Sequence, residues 1–374
     1  MRAIGVAFGS AMRVLLFVYF AAVLLLGGAA AAHIVRTGES PESASAVTTR
    51  PSEPRPPEPD PETFTFVGGG DIALTGSPDA RVLAGIRPFL RHKDLVIGNL
   101  EGTLATGGAS KCGGGSGGAC FAFRGSPEWA DMLRRTGFMV MNVANNHAYD
   151  YGPSAQQETL RALRRAGLVH QGLPGQITYV RAGKVKVALI GCAPYRWSQS
   201  LLDVRGTARL VRRASRHADV VLVYMHAGAE GVGAEHVRGD AESYLGEPRG
   251  NARGFAHAMI DAGADLVWAS GPHVLRGVEW YHDRVIAYSI GNLAGTDTLS
   301  TDGSLSESAL LRLTLDATGR FHTGDIVPLR LVDPGTPRLD PGGASISRIR
   351  GLSHEDFGPR AIRIASSGRI APPR

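Results

Sequence analysis

A polar run follows an apolar segment in the stretch NVANNHAYDYG, residues 142–152. Asn145, Asn146, His147 and Asp150 come directly after GFMVMNVA, which has the composition of a buried strand. Amide oxygens, imidazoles and carboxylates can bind a divalent metal or transfer a proton. Ligands of open α/β sheets bind at the carboxyl ends of the strands. The stretch therefore predicts functional side chains at a strand end.

Polar residues also follow the other predicted strands, where the chain carries Asp71, Asn99, Glu101, His226, Glu230, His273 and Asn292. Each has an ordinary alternative when taken alone: a helix cap, an asparagine turn, or a core histidine bonded to backbone. Together they form a ligand mixture that suits Mn, Zn, Fe or Mg, and the histidines favour the transition metals. The sequence has no GxxxxGK phosphate loop and no GxSxG nucleophile elbow.

Short apolar runs and helical stretches alternate from Phe64 onward, which predicts an α/β protein with a parallel or mixed sheet. SPEWADMLRRTG predicts a helix with Ser126 as its cap and Pro127 at its first position. DARVLAGIRPFLRHKD predicts another helix, RGVEWYHDRVIAYSIGNL a hairpin, and SALLRLTLDATGRFHTGDIVPLRLVD antiparallel strands. Residues 334–374 are rich in Pro, Gly and Ser and contain one weak helix around SISRIRGLSHEDFG.

The N-terminus predicts export from the cytoplasm. Residues 14–32 are continuously apolar and follow Arg2 and Arg13, as in a membrane anchor with its N-terminus inside or a cleaved signal peptide. We expect residues 1–35 to be this segment and residues 36–62 a proline-rich, extended linker. The protein is then a single-pass membrane protein with an extracytoplasmic domain, or a secreted protein if the segment is cleaved.

Cys112 and Cys120 close the glycine-rich loop CGGGSGGAC. An oxidising compartment favours a disulfide between them, and a zinc site is less favoured because no second cysteine pair is present. Cys192 has the setting of a small core residue.

The formal net charge of +6 comes largely from arginines on predicted helices, which indicates solvated helix faces. With only 7% aromatic residues and an exported location, nucleic-acid binding is not expected. A basic exterior suits anionic lipid or an acidic polymer.

The motifs GGGDIALTG, IGNLEGTL, NVANNHAYDYG, YMHAGAE, AGADLVWASGPHVLRGVEWY and VIAYSIGNL occur in the order found in the CapA family. The chain resembles this family of capsule and poly-γ-glutamate biosynthesis proteins over about residues 64–330. The resemblance implies a calcineurin-like metallophosphoesterase fold, a layered sandwich of two mixed β-sheets flanked by helices. We place this domain at residues 63–333, with residues 334–374 as an extension that packs on it or trails from it.

The resemblance also implies roles for individual residues. One or two divalent ions would be bound by Asp71, Glu101, Asn146, His226 and His273, and His147 would be the general acid, with Asp150 beside it. Substrate contacts or support of the ligands would come from Asn99, Asn145, Glu230, Arg276 and Asn292.

Two positions depart from the metallophosphoesterase pattern: Asp71 is followed by Ile72 and Ala73 instead of x-His, and ASGPH replaces GHxPH at residues 269–273. Two functions remain open. One is a metal-dependent hydrolase or transferase acting on a phosphoester or envelope polymer. The other is a non-catalytic subunit that binds an acidic polymer within a membrane synthase complex.

Overall fold

A computed structural model describes residues 62–113 and 120–374. The strands, in chain order, are β1 (Thr63–Ala73), β2 (Leu95–Leu100), β3 (Thr103–Leu104), β4 (Arg124–Gly125), β5 (Val140–Asn142), β6 (Val169–Gln171), β7 (Thr178–Ala182), β8 (Val185–Ala193), β9 (Gln199–Ser200), β10 (Val220–His226), β11 (Glu242–Tyr244), β12 (Glu247–Gly250), β13 (Leu266–Ser270), β14 (Val278–Tyr281), β15 (Arg284–Ala287), β16 (Asn292–Gly295), β17 (Glu307–Asp316), β18 (Phe321–Val332), β19 (Thr336–Leu339), β20 (Arg363–Ile364) and β21 (Arg369–Ala371). The helices are α1 (Ala80–Ala84), α2 (Arg87–Leu90), α3 (Trp129–Thr136), α4 (Gly152–Arg165), α5 (Val204–Ser215), α6 (Ala252–Asp261) and α7 (Ala344–Phe357).

Two large mixed sheets account for most of the strands. The first has the order β20-β21-β18-β17-β1-β2-β5-β6, with β16 also paired to β1 and β19 to β18. In it β1, β2, β5 and β6 run parallel, whereas β17, β18 and β21 are antiparallel. The second has the order β14-β15-β13-β10-β8-β7, with β9 beside β8. Its central strands β8, β10, β13 and β15 are parallel.

The two sheets pack face to face, and an apolar core lies between them. Phe64 and Phe66 of β1 pack in the same cluster as Leu222 of β10 and Trp268 of β13. The rings of Phe66 and Trp268 meet edge to face, with centroids 5.0 Å apart. Successive strand residues point to opposite faces of a sheet, so Val67 leaves this core and faces the helices on the outside of the first sheet.

Helices cover the outer face of each sheet. Trp129 and Leu133 of α3 and Leu160 of α4 pack on the first sheet, and Val211 of α5 and Phe255 of α6 pack on the second. The expected α/β class, with mixed sheets flanked by helices, is confirmed. The expected hairpin forms from β14 and β15, and the antiparallel strands form from β17 and β18.

Two helices differ from their sequence-based bounds. The single helix expected over residues 79–94 is divided into α1 and α2. Pro88 has no amide hydrogen to donate to the carbonyl of Ala84, and the helix breaks between them. Helix α3 begins at Trp129, because Ser126 and Pro127 form a preceding turn closed by short-range backbone bonds to Trp129 and Ala130.

Residues after 333 contribute β19, β20 and β21 to the first sheet, and α7 places Ile346 and Ile349 in the core between the sheets. The proposed N-terminal anchor and linker lie outside the described residues, apart from Glu62. In the part of the chain that the structure describes, no helix is long and apolar enough to cross a membrane.

Candidate metal centre

The carboxyl ends of parallel strands from both sheets bring the expected polar residues together. In the first sheet, Asp71 of β1 lies in register with Asn99 of β2, and Glu101 follows β2. In the second sheet, His226 ends β10 in register with Ser270 of β13, and His273 lies three residues beyond. The site therefore forms where the strand ends of the two sheets meet.

Asp71, Glu101 and His273 form the centre of this site, each offering one ligand atom within 4.8 Å of the other two. His273 Nδ1 lies 3.4 Å from Asp71 Oδ2, and His273 Nε2 lies 3.7 Å from Glu101 Oε1. His226 closes the same group, with Nδ1 3.7 Å from Asp71 Oδ1 and Nε2 3.6 Å from Glu101 Oε1. Each imidazole thus lies within 3.7 Å of both carboxylates.

Several buried polar atoms in this group and beside it have no hydrogen-bond partner. Within residues 62–113 and 120–374, both oxygens of Glu101, Nε2 of His226 and Oδ1 of Asn146 make no hydrogen bond. Leaving buried polar atoms unpaired is costly, and such atoms call for an ion or another explanation. The atoms are of the oxygen and nitrogen types that bind divalent metals. The residues present therefore fit a divalent cation.

Three hydrogen bonds from neighbouring protein groups fix the Asp71 carboxylate. Its Oδ1 accepts from Asn99 Nδ2 at 2.7 Å and from the Ser270 hydroxyl, and its Oδ2 accepts from the Gly271 amide at 3.0 Å. Tyr224 in turn hydrogen-bonds the Ser270 hydroxyl in the core. Ser270, one of the two positions that depart from the family pattern, therefore contributes a donor to Asp71.

A set of buried amides positions the polar loop after β5. Asn99 Oδ1 accepts from Nδ2 of Asn142 at 2.7 Å and from Nδ2 of Asn145 at 3.0 Å. Asn145 also donates to the Leu100 carbonyl and accepts from the His147 amide. The structure thus places Asn99 and Asn145 in a support network, with their amide groups engaged by protein partners.

His147 follows Asn146 in the chain and is held by Asp150. Its Nδ1 is 2.7 Å from Asp150 Oδ2, and its ring packs against Phe123 with centroids 4.4 Å apart. Asp150 Oδ2 also accepts from the Phe123 amide at 2.7 Å, and its Oδ1 lies 2.7 Å from Lys111 Nζ. One buried carboxylate therefore orients the imidazole and holds two segments around it.

Those two segments flank a disulfide. Cys112 and Cys120 are bonded, with Cα atoms 5.7 Å apart. Lys111 precedes the bridge and donates its amide to the Asp150 carbonyl at 2.7 Å, and Phe123 follows it. The disulfide loop is thereby attached beside His147 at both ends.

The pKa values at the centre reflect burial and close charges. Burial would raise the pKa of Asp71, but its close contact with His273 and the charges of His226 and His273 lower the pKa to about 2. Burial raises the pKa of Glu101 well above its usual value, and the Asp71 carboxylate adds to this. Asp71 therefore ionises well below neutral pH, whereas burial and the Asp71 charge oppose ionisation of Glu101.

The pKa values of the two histidines at the centre also shift in opposite directions. Burial lowers the pKa of His226 to about 3. Burial also opposes the charged form of His273, but Glu101 and Asp71 together raise its pKa to about 10. Burial lowers the pKa of His147 despite its hydrogen bond with Asp150. His226 is consequently neutral near neutral pH, whereas His273 carries a proton that it would have to lose before it could bind a metal.

The remaining expected residues divide between the cavity and its supports. Glu230 faces the centre, 3.7 Å from His273 Nε2, and accepts from Asn146 Nδ2 at 3.3 Å. Asn292 Oδ1 lies 2.8 Å from His273 Nδ1 and so orients that ring. Arg276 is fully buried and makes a bidentate pair with Glu242. Its guanidinium therefore stabilises the loop after β10.

A cavity of about 460 Å³ opens beside the centre and is lined by Asn146, His147, Lys111, Glu230 and Arg249. Three stacked aromatic rings form part of its wall. Trp197 lies between Tyr149 and Tyr195, with 4.9 Å between ring centroids on each side. The Trp197 indole donates to the Asn145 carbonyl at 3.0 Å. Sequence reasoning missed Arg249 and this aromatic wall, because neither adjoins a predicted strand end of the centre.

Comparisons with known proteins agree with the motifs. The sequence model of the family described as bacterial capsule synthesis protein PGA_cap matches residues 65–296. The PGA biosynthesis protein CapA of Bacillus subtilis (strain 168) is 28% identical over 260 residues, covering 64% of this chain and 63% of the relative. The capsule biosynthesis protein CapA of Bacillus anthracis is 26% identical over 273 residues, covering 68% and 62%. The matched region thus spans a little less than two thirds of either Bacillus protein.

Among solved structures, similarity is found to a 5′-nucleotidase precursor from Thermus thermophilus, with 15% identity, a TM-score of 0.41 and coverage of 74% of this chain and 54% of that one. The sulfate thiohydrolase SoxB of a Thermus species gives 12% identity and a TM-score of 0.42, covering 80% and 62%.

Proposed function

Because the chain belongs to the bacterial capsule synthesis protein family PGA_cap, we propose that it acts in the synthesis of capsule, poly-γ-glutamate or another envelope polymer, as a metal-dependent phosphoesterase-like hydrolase. The relatives named CapA are described as PGA and capsule biosynthesis proteins. The catalytic part of the proposal rests on the site itself. In this proposal the domain lies outside the cytoplasm, anchored by the apolar N-terminal segment.

The observation that carries the proposal is the convergence of unpaired ligand atoms. Among the described residues, Glu101, His226 and Asn146 present buried atoms without partners, and Asp71 and His273 lie within 4.8 Å of Glu101. A solely structural polar cluster would have its hydrogen bonds completed internally. We therefore assign these five residues as the ligands of one or two divalent ions. The metal is Mn, Zn, Fe or Mg, and elemental measurement of the purified protein distinguishes them.

The surrounding residues supply the rest of the chemistry. A bound divalent ion would polarise a phosphoryl oxygen and lower the pKa of a bound water. Asp150 accepts from His147 Nδ1, which leaves Nε2 as the nitrogen that exchanges a proton with a molecule in the cavity. With its pKa lowered by burial, His147 gives up that proton readily to a leaving oxygen. Asn292 keeps the His273 ring in its ligating orientation.

A second candidate function is a non-catalytic polymer-binding or assembly subunit of a membrane synthase complex. One observation favours it: Ser270 and Ala73 stand where metallophosphoesterases carry histidines, and the Ser270 hydroxyl is engaged by Asp71. A probable polyglutamine synthesis accessory protein of Mycobacterium tuberculosis, 26% identical over 223 residues, is described as accessory. The assembly function would place this chain beside synthase subunits.

The deciding experiment measures metal content and hydrolysis on the full chain. We expect purified wild-type protein to bind Mn²⁺ or Zn²⁺ stoichiometrically and to hydrolyse a chromogenic phosphodiester. Glu101→Gln removes the negative charge of one proposed ligand and should abolish metal binding, whereas Glu355→Gln, a change at an exposed carboxylate of α7, should not. His147→Ala should retain metal and lose turnover.

Other outcomes separate the two functions. Two results together would favour the assembly subunit. The wild-type protein would bind metal but hydrolyse no phosphoester, and cells that carry His147→Ala would still synthesise the polymer. Wild-type protein that binds no divalent metal would overturn the metal-dependent proposal.

A further inference from the structure

Arg249 is a buried cation in the wall of the cavity, and neither the metal centre nor proton transfer at His147 uses it. It lies on β12, in the β11–β12 hairpin, and its side chain is 4% exposed. It lines the same cavity as Asn146 and His147. Its charge also acts on the centre, where it opposes protonation of Glu101 and of His226. A charge this deeply buried needs compensating partners.

The partners of Arg249 within the chain are incomplete. Nη1 lies 2.5 Å from Glu230 Oε1, and Nη2 lies 3.4 Å from Glu247 Oε2. Neither contact has hydrogen-bond geometry, and among the described residues Nε and Nη1 have no hydrogen-bond acceptor. Glu247 is 53% exposed and its Oε2 is shared with the Tyr195 hydroxyl at 2.7 Å. The Nη2 side of the guanidinium is therefore paired only with a solvated carboxylate.

Aromatic rings fix the position of this guanidinium. The Arg249 Cζ atom lies 5.4 Å from the Tyr244 ring centroid and 5.9 Å from that of Tyr195. Tyr195 belongs to the ring stack with Trp197 and Tyr149. A guanidinium placed against aromatic rings keeps its planar edge available for a carboxylate or phosphate.

A second cation lies in the wall of the same cavity. Lys111 Nζ is 2.7 Å from Asp150 Oδ1 and 3.4 Å from the Asn146 carbonyl, and its side chain is 36% exposed. Lys111 comes from the segment before the disulfide and Arg249 from the β11–β12 hairpin, so two distant parts of the chain each bring a cation to the cavity. Such an arrangement suits a ligand with more than one negative group.

We propose that Arg249 is the centre of a substrate subsite that binds a second anionic group, a carboxylate or a phosphate, beside the group that reacts at Asp71, Glu101 and His273. The anion replaces the exposed Glu247 carboxylate at Nη2, and the tyrosine rings exclude water from the pair. Charge-assisted contacts to a guanidinium are among the stronger hydrogen bonds in proteins. The proposal rests on the proposed function, because it takes the cavity as the substrate's route to the metal centre.

The test measures anion binding calorimetrically on the full chain after treatment with a chelator, so that a metal does not contribute. Two probes, inorganic phosphate and the dipeptide γ-glutamylglutamate, separate a phosphoryl subsite from a carboxylate subsite. For at least one probe we expect Arg249→Met to weaken binding about tenfold or more, the loss of one charge-assisted contact. Arg161→Met removes a charge from the exposed face of α4 and should leave binding unchanged.

Glu247→Gln should change the affinity for the probe in the opposite direction, and it keeps the test decisive if Arg249→Met does not fold. Removing the competing carboxylate should tighten binding of the same probe, since Glu247 is exposed and its loss does not disturb the core. Unchanged affinity in the folded Arg249→Met or in Glu247→Gln, or no saturable binding of either probe to the wild-type chain, would overturn the subsite. Because the measurement needs neither metal nor turnover, failure of the hydrolase function alone would leave its result intact.

Discussion

Asp150 Oδ2 lies 2.7 Å from His147 Nδ1, and both side chains are buried. The same carboxylate holds Phe123 through its amide and Lys111 through its ammonium group. The orientation of His147 is therefore tied to the two segments that flank the Cys112–Cys120 bridge. In the proposed function, proton transfer at His147 Nε2 depends on this one carboxylate.

We expect Asp150→Asn to lower phosphoester turnover by roughly tenfold to a hundredfold, within the range that general acid–base catalysis contributes. The amide can still accept a bond, but it does not stabilise the protonated imidazole. Metal content, measured by mass spectrometry, should stay at the wild-type value because Asp150 is not among the proposed ligands. Lys111→Met leaves the Asp150 carboxylate in place, although it removes the partner of Oδ1 and one cation from the cavity, and should have a smaller effect on turnover at saturating substrate. Equal turnover in Asp150→Asn and wild type would contradict the role.

Metal binding should release protons and strengthen as pH rises. The pKa of His273 is about 10 in the metal-free chain, so this ring carries a proton at neutral pH, and burial raises the pKa of Glu101 well above its usual value, so this carboxyl holds its proton to a higher pH than an exposed glutamate. Each must lose its proton to bind metal. Calorimetric titration with Mn²⁺ in two buffers of different ionisation enthalpy counts the protons released. A metal affinity that does not change between mildly acidic and mildly basic pH would exclude this scheme.

Arg276 should contribute strongly to stability through Glu242. The pair is bidentate, and Glu242 also accepts from the Ala229 amide at 2.9 Å, next to Glu230. Arg276→Met leaves a partly buried carboxylate without its cation, so we expect a loss of about 3 kcal/mol in the free energy of unfolding. Urea denaturation measures it.

The matched control for Arg276 is Arg312→Met, whose bidentate pair with Asp325 is more exposed and should contribute less than about 1 kcal/mol. Losses of equal size in the two variants would show that burial of the Arg276 pair is not what makes it important.

Asp316 should stabilise the β17–β18 turn in a pH-dependent way. Although burial opposes its charge, bonds from His322, Thr318 and Arg320 lower its pKa to about 2. A carboxyl whose folded pKa lies below its unfolded value, about 4, contributes stability above that unfolded value. The contribution is lost as pH falls toward 2.

The check for Asp316 compares unfolding free energies of wild type and Asp316→Asn across pH. We expect a constant difference from neutral pH down to about 4, then a decrease as the wild-type carboxyl is protonated. Asp340→Asn, at an exposed turn carboxylate whose bonds are all to nearby backbone amides, serves as a control. A difference between wild type and Asp316→Asn that grows with acidification would contradict the assignment.

Much of the fold and of the metal centre could be predicted from local pattern. Apolar runs with period two and helical runs alternate along the chain, and each strand end carries a polar residue, so Asp71, Glu101, His226 and His273 are expected together. The family resemblance carried by those motifs is confirmed by the family match over residues 65–296. Helix bounds were less secure: the breaks at Pro88 and before Trp129 depend on individual backbone bonds.

By itself, the sequence determined the α/β class, the strand ends that carry the candidate ligands and the family. Those properties follow from hydrophobic periodicity and short motifs, which are local. The tertiary structure alone decided that Tyr224 and Ser270 support Asp71, that Arg276 turns to Glu242 rather than to the cavity, and that Arg249 faces Asn146 and His147 from a hairpin about a hundred residues away. Contacts between such distant residues depend on strand order and on the packing of two sheets, which no local pattern encodes.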